Sequence, residues 1–266
     1  MYETLEIVRE GAVATLWMNR PEVHNAFNAR LIAELDAACR ALEEDEGVRL
    51  LVLAGRGKSF SAGADLNWMK AAGQASPADN LADARKLTGM LRTLAELRKP
   101  TLARVQGAAL GGGMGLAAAC DICIAGESAM FATSEVRLGI IPAAISPYVI
   151  RAIGERQASR YFLSAERLPA VQAARLGLVH EVVEDAALDA RVAEITAALL
   201  QGGPKAQAAA KALIRAVARR AVDEAVAEDS ACRIAELRTT PEAQEGLAAF
   251  LAKRPPSWVS KGGAGE

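Results

Sequence analysis

The sequence predicts an α/β fold with a helical C-terminal region, on three observations. Short apolar runs at 50–54, 101–105, 121–125 and 179–183 alternate with segments of helical periodicity, the order of a parallel-rich sheet. The run 50–54 lacks polar alternation, as a strand buried on both faces does. After about residue 186 no strand-like run remains. The expected organisation is an α/β core over 1–200 and a C-terminal helical region over 201–266.

Taken in order, Leu5 and Ile7, then Val13, Thr15 and Trp17, alternate with polar or small residues around Glu10-Gly11, which suits a hairpin of half-buried strands. Asn28 is a plausible N-cap for a helix whose Leu31, Leu35 and Leu42 recur at helical spacing up to Glu46. The run 50–54 ends in Gly55. Leu87, Met90, Leu91, Leu94 and Leu97 then mark an amphipathic helix that Pro100 stops before the strand-like 101–105. A Gly-rich loop and a small-residue helix lead to the runs at 121–125 and 179–183. In the tail, Gln201-Gly202-Gly203-Pro204 separates helices, and Thr240-Pro241 supplies a cap and a first-turn proline before Leu247, Phe250 and Leu251. Residues 262–266 are expected to be frayed.

Composition excludes several classes. The chain has 266 residues, 52% hydrophobic and 24% charged, with 31 Lys and Arg against 32 Asp and Glu for a net charge of -1. That balance leaves no basic footprint for nucleic acid and no sign of a disordered chain. The longest uncharged stretch, 105–120, is broken by five glycines and falls short of the ~18 residues of a membrane span. Met1-Tyr2-Glu3-Thr4-Leu5-Glu6 shows neither the basic nor the apolar part of a secretory leader, so a cytoplasmic location is expected. Of four cysteines only Cys120 and Cys123 are close; they follow an alanine run and open an apolar one, which reads as buried, reduced packing.

Several familiar motifs fail. Gly57-Lys58-Ser59 resembles the end of a phosphate loop, but that pattern needs Gly where Val52 stands. A dinucleotide fingerprint begun at Gly111 needs Gly where Leu116 stands. Ser61 lacks a nucleophile-elbow frame because position 59 is Ser, and the only histidines are His24, in a loop, and His180, in an apolar strand. The same scarcity gives no metal-ligand cluster, so no metal is expected.

Two Gly-rich loops remain, Ser61-Ala62-Gly63-Ala64-Asp65 and 107–115, each after a short strand and before a helical segment. On spacing alone they read as tight turns with close helix packing. They could equally present backbone N–H groups with partial positive charge to a developing oxyanion.

The joint pattern decides between these. Asn19-Arg20-Pro21 with Asn25-Ala26, Phe60-Ser61-Ala62-Gly63-Ala64-Asp65-Leu66, Gly107-Ala108-Ala109-Leu110-Gly111-Gly112-Gly113, Cys120-Asp121-Ile122 and Gly139-Ile140-Ile141-Pro142 resemble, in order and spacing, the enoyl-CoA hydratase/isomerase (crotonase) superfamily. The likeness covers about the first 185 residues, and the tail with Phe250-Leu251-Ala252-Lys253-Arg254 fits it too. It implies a spiral of ββα units with a helical trimerisation region, a homotrimer or homohexamer, and an acyl-CoA thioester as substrate. No separate cofactor is implied, coenzyme A being part of the substrate. By position, the oxyanion amides would be those of Ala64 and Gly112, with Ala62, Gly63, Asp65 and Gly111 around the bound thioester. Lys58, and Lys253 with Arg254 in the tail, are candidates for the CoA phosphates, the tail cation reaching a neighbouring subunit's nucleotide.

The resemblance also implies two glutamates that position and activate water. The second falls on Glu135; the first falls on Gly115 and is absent. Without the family context, Glu135 just after Thr133-Ser134 reads as a first-turn helix acid; with it, as the acid–base group. Phe60 to Met69, Ser134 to Gly139 and Ile145-Ser146-Pro147 resemble bacterial methylglutaconyl-CoA hydratase-like and carboxygeranoyl-CoA hydratase-like members, a branch that also carries Gly at the first position. Their substrates bring an extra carboxylate that could order water in place of the missing glutamate; Gly115 then either reflects lost water activation or makes room for that carboxylate, and Arg137 is a weak candidate cation. The leading expectation is therefore hydration of a branched, carboxylated 2-enoyl-CoA such as 3-methylglutaconyl-CoA, as in leucine breakdown. The alternatives are a 3-enoyl to 2-enoyl-CoA isomerase with one Glu base, and a non-catalytic acyl-CoA binder.

Overall fold

The computed structural model of the chain describes residues 2–259, so the expected frayed end lies outside the described residues. The chain forms two compact units, one of residues up to 97 with 101–194, the other of 98–100 with the residues from 195 onward. In the first unit the order is β1 (Leu5–Glu10), β2 (Val13–Met18), α1 (Ala29–Glu44), β3 (Leu50–Gly55), α2 (Leu66–Ala72), α3 (Pro77–Glu96), β4 (Thr101–Val105), β5 (Ala108–Leu110), α4 (Gly112–Ala119), β6 (Ile122–Gly126), β7 (Met130–Ala132), α5 (Ser146–Ser164), β8 (Leu168–Pro169), α6 (Ala170–Arg175) and β9 (Glu181–Val183). α7 (Leu188–Leu200) carries the chain into the second unit, which continues with α8 (Pro204–Val217), α9 (Glu224–Arg238) and α10 (Pro241–Leu251).

A six-stranded sheet in the order β1-β2-β3-β4-β6-β9 is parallel except for the β1–β2 hairpin. A smaller sheet, β5-β7-β8, joins the short strands that follow β4 and β6 to β8, which follows α5. The ββα repeat implied by the resemblance is present as β1β2α1, β4β5α4 and β6β7α5.

Local chemistry explains these elements. The β3 run, flanked by β2 and β4, is buried throughout, as its continuous apolar character predicts. Asn28 Oδ1 accepts from Leu31 N at 2.8 Å and caps α1, whose Leu31, Leu35, Ala38 and Leu42 form the core stripe. In β2 the fully buried face is Ala14, Leu16 and Met18; the opposite face, with Val13, Thr15 and Trp17, is half-buried. Trp17 lies beneath the Arg56 guanidinium, 4.0 Å from the ring centroid. β6 starts one residue later than its apolar run suggests, because the Asp121 carboxylate accepts from Thr101 N (2.8 Å) and Thr101 Oγ1 (2.9 Å). β9 likewise begins after His180, whose Nδ1 accepts from Cys123 N at 3.1 Å.

Cys120 and Cys123 are buried and form no disulfide, and burial pushes the Cys123 thiol up to about 12. In the second unit Thr240 Oγ1 accepts from Ala243 N at 3.2 Å and caps α10, with Pro241 in its first turn. The Glu242 carboxylate of that same turn accepts from Lys205 N and Ala206 N, supplying acceptors for the N-terminus of α8. Among the described residues no helix is long and apolar enough to cross a membrane.

Candidate active site

The two Gly-rich loops meet because each is zipped to β5. Ser61 N donates to Ala108 O and Leu110 N to Ser61 O, both at 2.9 Å, so the first loop runs alongside the strand that leads into the second. On its other side Phe27 N donates to Gly63 O (2.6 Å) and Asp65 N to Phe27 O (2.8 Å). Ala64 therefore sits between two paired neighbours. Gly63 and Gly111 both adopt positive φ, +90° and +49°, and a β-carbon on Gly111 would lie 3.8 Å from the Gly63 Cα. That approach is ordinary contact; it is the positive φ at both positions that favours glycine.

Among the described residues the N–H groups of Ala64 and Gly112 have no protein acceptor. Gly112 opens α4, where first-turn amides have no partner within the helix and carry the positive end of its dipole. Both residues line one cavity of about 770 Å³, together with Ala62, Gly63, Gly111 and Glu135.

Glu135 reaches this cavity from the other strand of the smaller sheet. Gly111 N donates to Ala132 O at 2.8 Å, tying the second loop to the end of β7. Thr133 Oγ1 then donates to Tyr161 O at 3.0 Å, and Glu135 opens a 3-10 turn, Glu135–Leu138. A β-carbon on Gly111 would stand 3.1 Å from Glu135 Oε1, so the carboxyl lies against the second loop. Its Oε2 is buried without a hydrogen-bond partner. Burial raises the Glu135 carboxyl above its ordinary value, partly offset by a bond from its own backbone N–H. A carboxyl poised this way can hold and release a proton nearer neutrality than an exposed glutamate.

Asp65 plays a different part from the residues around it: it does not line the cavity. Its carboxylate pairs with Arg20 Nη2 at 3.0 Å and accepts from Asn67 N at 2.9 Å, capping α2. Burial pushes the Asp65 carboxyl up, but Arg20 and the amides of Asn67 and Trp68 outweigh it and hold it below its ordinary range. Arg20 also donates to Ala26 O, and the buried Asn25 accepts from Arg20 N and donates to Ser59 O. The Asn19-Arg20-Pro21 and Asn25-Ala26 motif thus braces the loop that carries Ala64. Arg20→Met, which leaves Asp65 without its cation, is expected to cost roughly 3 kcal/mol in chemical denaturation, and Arg20→Met/Asp65→Asn to cost less than that. Equal losses in both variants would show that the pair does not brace the loop.

Lys58 is exposed on the turn after β3 and does not line the cavity. Arg137 is exposed on the 3-10 turn. Lys253, in the second unit, is exposed after α10 with φ +53°, while Arg254 forms a two-pronged pair with Glu245 at 2.7 and 2.8 Å. Among the described residues no cluster of three or more His, Cys, Asp or Glu could hold a metal. His24 Nδ1 lies 3.1 Å from Ser59 Oγ, another brace near the first loop.

Gly115 lies behind the cavity wall, where Ile145 covers it. The expectation that Gly115 makes room for a substrate carboxylate is therefore corrected: this chain's own side chain takes that room. The apolar wall, Leu66, Trp68, Met69, Leu138, Ile140 and Ile145 among others, had no assigned role in the sequence. Its signals were the motifs Phe60 to Met69, Ser134 to Gly139, Gly139-Ile140-Ile141-Pro142 and Ile145-Ser146-Pro147, of which Ile140 and Ile141 are exposed and line the cavity.

The chain is similar to known proteins over nearly its whole length. A solved enoyl-CoA hydratase from Shewanella pealeana superposes with a TM-score of 0.93 at 42% identity, covering 96% of each chain. The crotonyl-CoA hydratase of Syntrophomonas wolfei is 34% identical over 262 residues, 98% of this chain and 99% of its own. The 2,3-dehydroadipyl-CoA hydratase of Escherichia coli is 34% identical over 258 residues, 97% and 99% of the two chains. The family profile described as Enoyl-CoA hydratase/isomerase matches residues 8–261. With the loops, the free amides and the buried carboxyl already in place, this match shows that the chain belongs to the enoyl-CoA hydratase/isomerase family.

Proposed function

We propose that this enzyme adds water across the double bond of a 2-enoyl-CoA, with the thioester oxygen held by the Ala64 and Gly112 amides and Glu135 as its single acid–base group. The observation that carries the reading is a lone, desolvated carboxyl in the same cavity as two unpaired amides. In this reading Glu135 takes a proton from water as the water oxygen bonds C3. The C2=C3 electron pair moves onto the thioester oxygen, where the two amides receive the charge. The protonated Glu135 then delivers its proton to C2 and the carbonyl re-forms.

Two relatives at the same 34% identity carry names with different acyl groups, crotonyl and 2,3-dehydroadipyl, so the cavity wall is the better guide to the acyl chain. That wall is mainly apolar, and among the described residues lining it there is no Lys, Arg or His. 3-Methylglutaconyl-CoA, which the closer motif resemblance implies, brings a second carboxylate that would find Asn80 and Ser134 as side-chain partners there, and no cation. We therefore rank an uncharged branched 2-enoyl group ahead of it. We assign Lys58 to the phosphates of the CoA bound by its own subunit, and Lys253 to those of a neighbouring subunit's nucleotide. We also assign the exposed Leu247, Phe250 and Leu251 of α10 to a subunit contact in a homotrimer or homohexamer.

The single carboxyl also favours a second reading, isomerisation of a 3-enoyl-CoA, in which Glu135 carries one proton from C2 to C4 and needs no water. Turnover in heavy-oxygen water separates the two. Label in the product is expected, with kcat/KM for 3-methylcrotonyl-CoA above that for 3-methylglutaconyl-CoA. Double-bond migration without label would establish the isomerase instead, and the reverse substrate order would restore the carboxylated acyl group.

A further inference from the structure

Gly115 stands one turn after Gly112 on α4, so a side chain there would project on the same side of the helix as the free amide. The space is already filled. A β-carbon on residue 115 would lie 2.1 Å from Ile145 Cγ2 and 2.7 Å from Ile145 Cβ, but 3.7 Å from Ile145 Cα. A change of Ile145 rotamer cannot relieve the contact with its own Cβ. Nor can the backbone shift freely, because Ile145 O accepts from Tyr148 N and Val149 N, both at 3.1 Å, at the start of α5. Ile145 is 2% exposed and lines the cavity that holds Glu135.

We infer that Ile145 is a specificity-determining residue: it closes, with branched apolar surface, the wall from which a second carboxylate would act, and leaves Glu135 the only ionisable side chain among the described lining residues. The inference rests on the functional reading above, for the roles of Glu135 and the two amides, and extends it to what sets the reaction. An ordered water needs two to four polar partners, and Ile145 offers none. A proton carried from C2 to C4 of a 3-enoyl thioester needs only the one carboxyl. Ile145 therefore leaves hydration to Glu135 alone and keeps the hydration-to-isomerisation ratio below what a second carboxylate at 115 would give.

The test is a cycle of Gly115→Glu, Ile145→Gly and the two combined. Ile145→Gly removes both crowding atoms and leaves ordinary contact at 3.7 Å. Two properties are read for each protein, the Tm and the ratio of hydration of crotonyl-CoA to isomerisation of 3-hexenoyl-CoA. Gly115→Glu alone is expected to lower the Tm sharply. The double variant should recover part of that loss relative to the sum of the single changes. Its hydration-to-isomerisation ratio should exceed that of Ile145→Gly by about tenfold or more, the low end for an added acid–base group. A Gly115→Glu protein as stable as the wild type, or a folded double variant with an unchanged ratio, would overturn the role of Ile145 alone. A wild type that turns over neither substrate would overturn the functional reading and this inference with it.

Discussion

Glu135→Gln is expected to lower turnover by roughly two orders of magnitude or more, the scale of a principal general acid–base group, and to leave acyl-CoA binding nearly unchanged. The substitution keeps the shape of the side chain. It breaks no side-chain hydrogen bond at Oε2, which has no partner, so the loss is chemical rather than structural. Burial raises the Glu135 carboxyl, and hydration begins from its ionised form. The acid limb of kcat/KM should therefore lie above the ordinary carboxylate value of 4.5 and disappear in the residual activity of Glu135→Gln.

Stability carries the opposite sign. A carboxyl whose folded pKa is raised favours folding below its unfolded value and loses that contribution as pH rises through the folded one. Glutamine stays neutral throughout, so Glu135→Gln should have a Tm at or above that of the wild type at neutral pH. The two should converge below 4.5. A fully active Glu135→Gln enzyme, or a limb at the ordinary carboxylate position, would remove Glu135 from the chemistry.

Most of the larger sheet is legible in the sequence because its strands are long enough, or apolar enough, to leave a pattern. The buried β3 run and the Asn28 cap of α1 are read directly. The β1–β2 hairpin is read as well, although the alternating set Val13, Thr15 and Trp17 proves to be the less buried face, because Arg56 covers Trp17. What escapes is the smaller sheet: β5 and β7 have three residues each, too few for any period to register. α5 escapes for another reason. Arg151, Glu155, Arg156 and Arg160 scatter charge along it, and Gly154 at φ +77° interrupts the helical path. Yet β5 and β7 are the strands that bring the Gly-rich loops and Glu135 together, so the site is legible as motifs and not as geometry.

The same division holds for single residues. Ala64, Gly112 and Glu135 are named by the resemblance and meet in one cavity. Ile145 falls in a quoted motif, Ile145-Ser146-Pro147, but its role escapes motif reasoning, because that role depends on a contact with a residue thirty positions away that has no side chain. Asp65 is named as a neighbour of substrate, whereas its carboxylate faces Arg20 and the start of α2. Spacing along the chain finds the loop but not the direction in which each side chain leaves it.

Ala64→Pro should have the second large effect, because it removes one oxyanion donor and puts a ring carbon where that N–H pointed. The loop is held through its neighbours: Gly63 O accepts from Phe27 N, and Asp65 N donates to Phe27 O. The Ala64 N–H takes no part in that clamp, and Ala64 itself is exposed, so a pyrrolidine ring replaces no packed side chain. A proline disfavours the right-handed helical region for the residue before it, and Gly63, at φ +90°, lies outside that region. Gly112→Pro would be a poorer probe, since a β-carbon there would come within 2.5 Å of the Phe27 ring. Loss of one donor to a developing oxyanion costs about 3 kcal/mol, so turnover should fall by roughly two to three orders of magnitude. KM should rise as well, because the ring carbon that replaces the N–H takes the room of the ground-state carbonyl oxygen. Ala64→Pro combined with Glu135→Gln should lose less than the product of the two single losses, since both act on one transition state. If Ala64→Pro keeps the wild-type Tm and wild-type turnover, the Ala64 amide does not face the reacting oxygen.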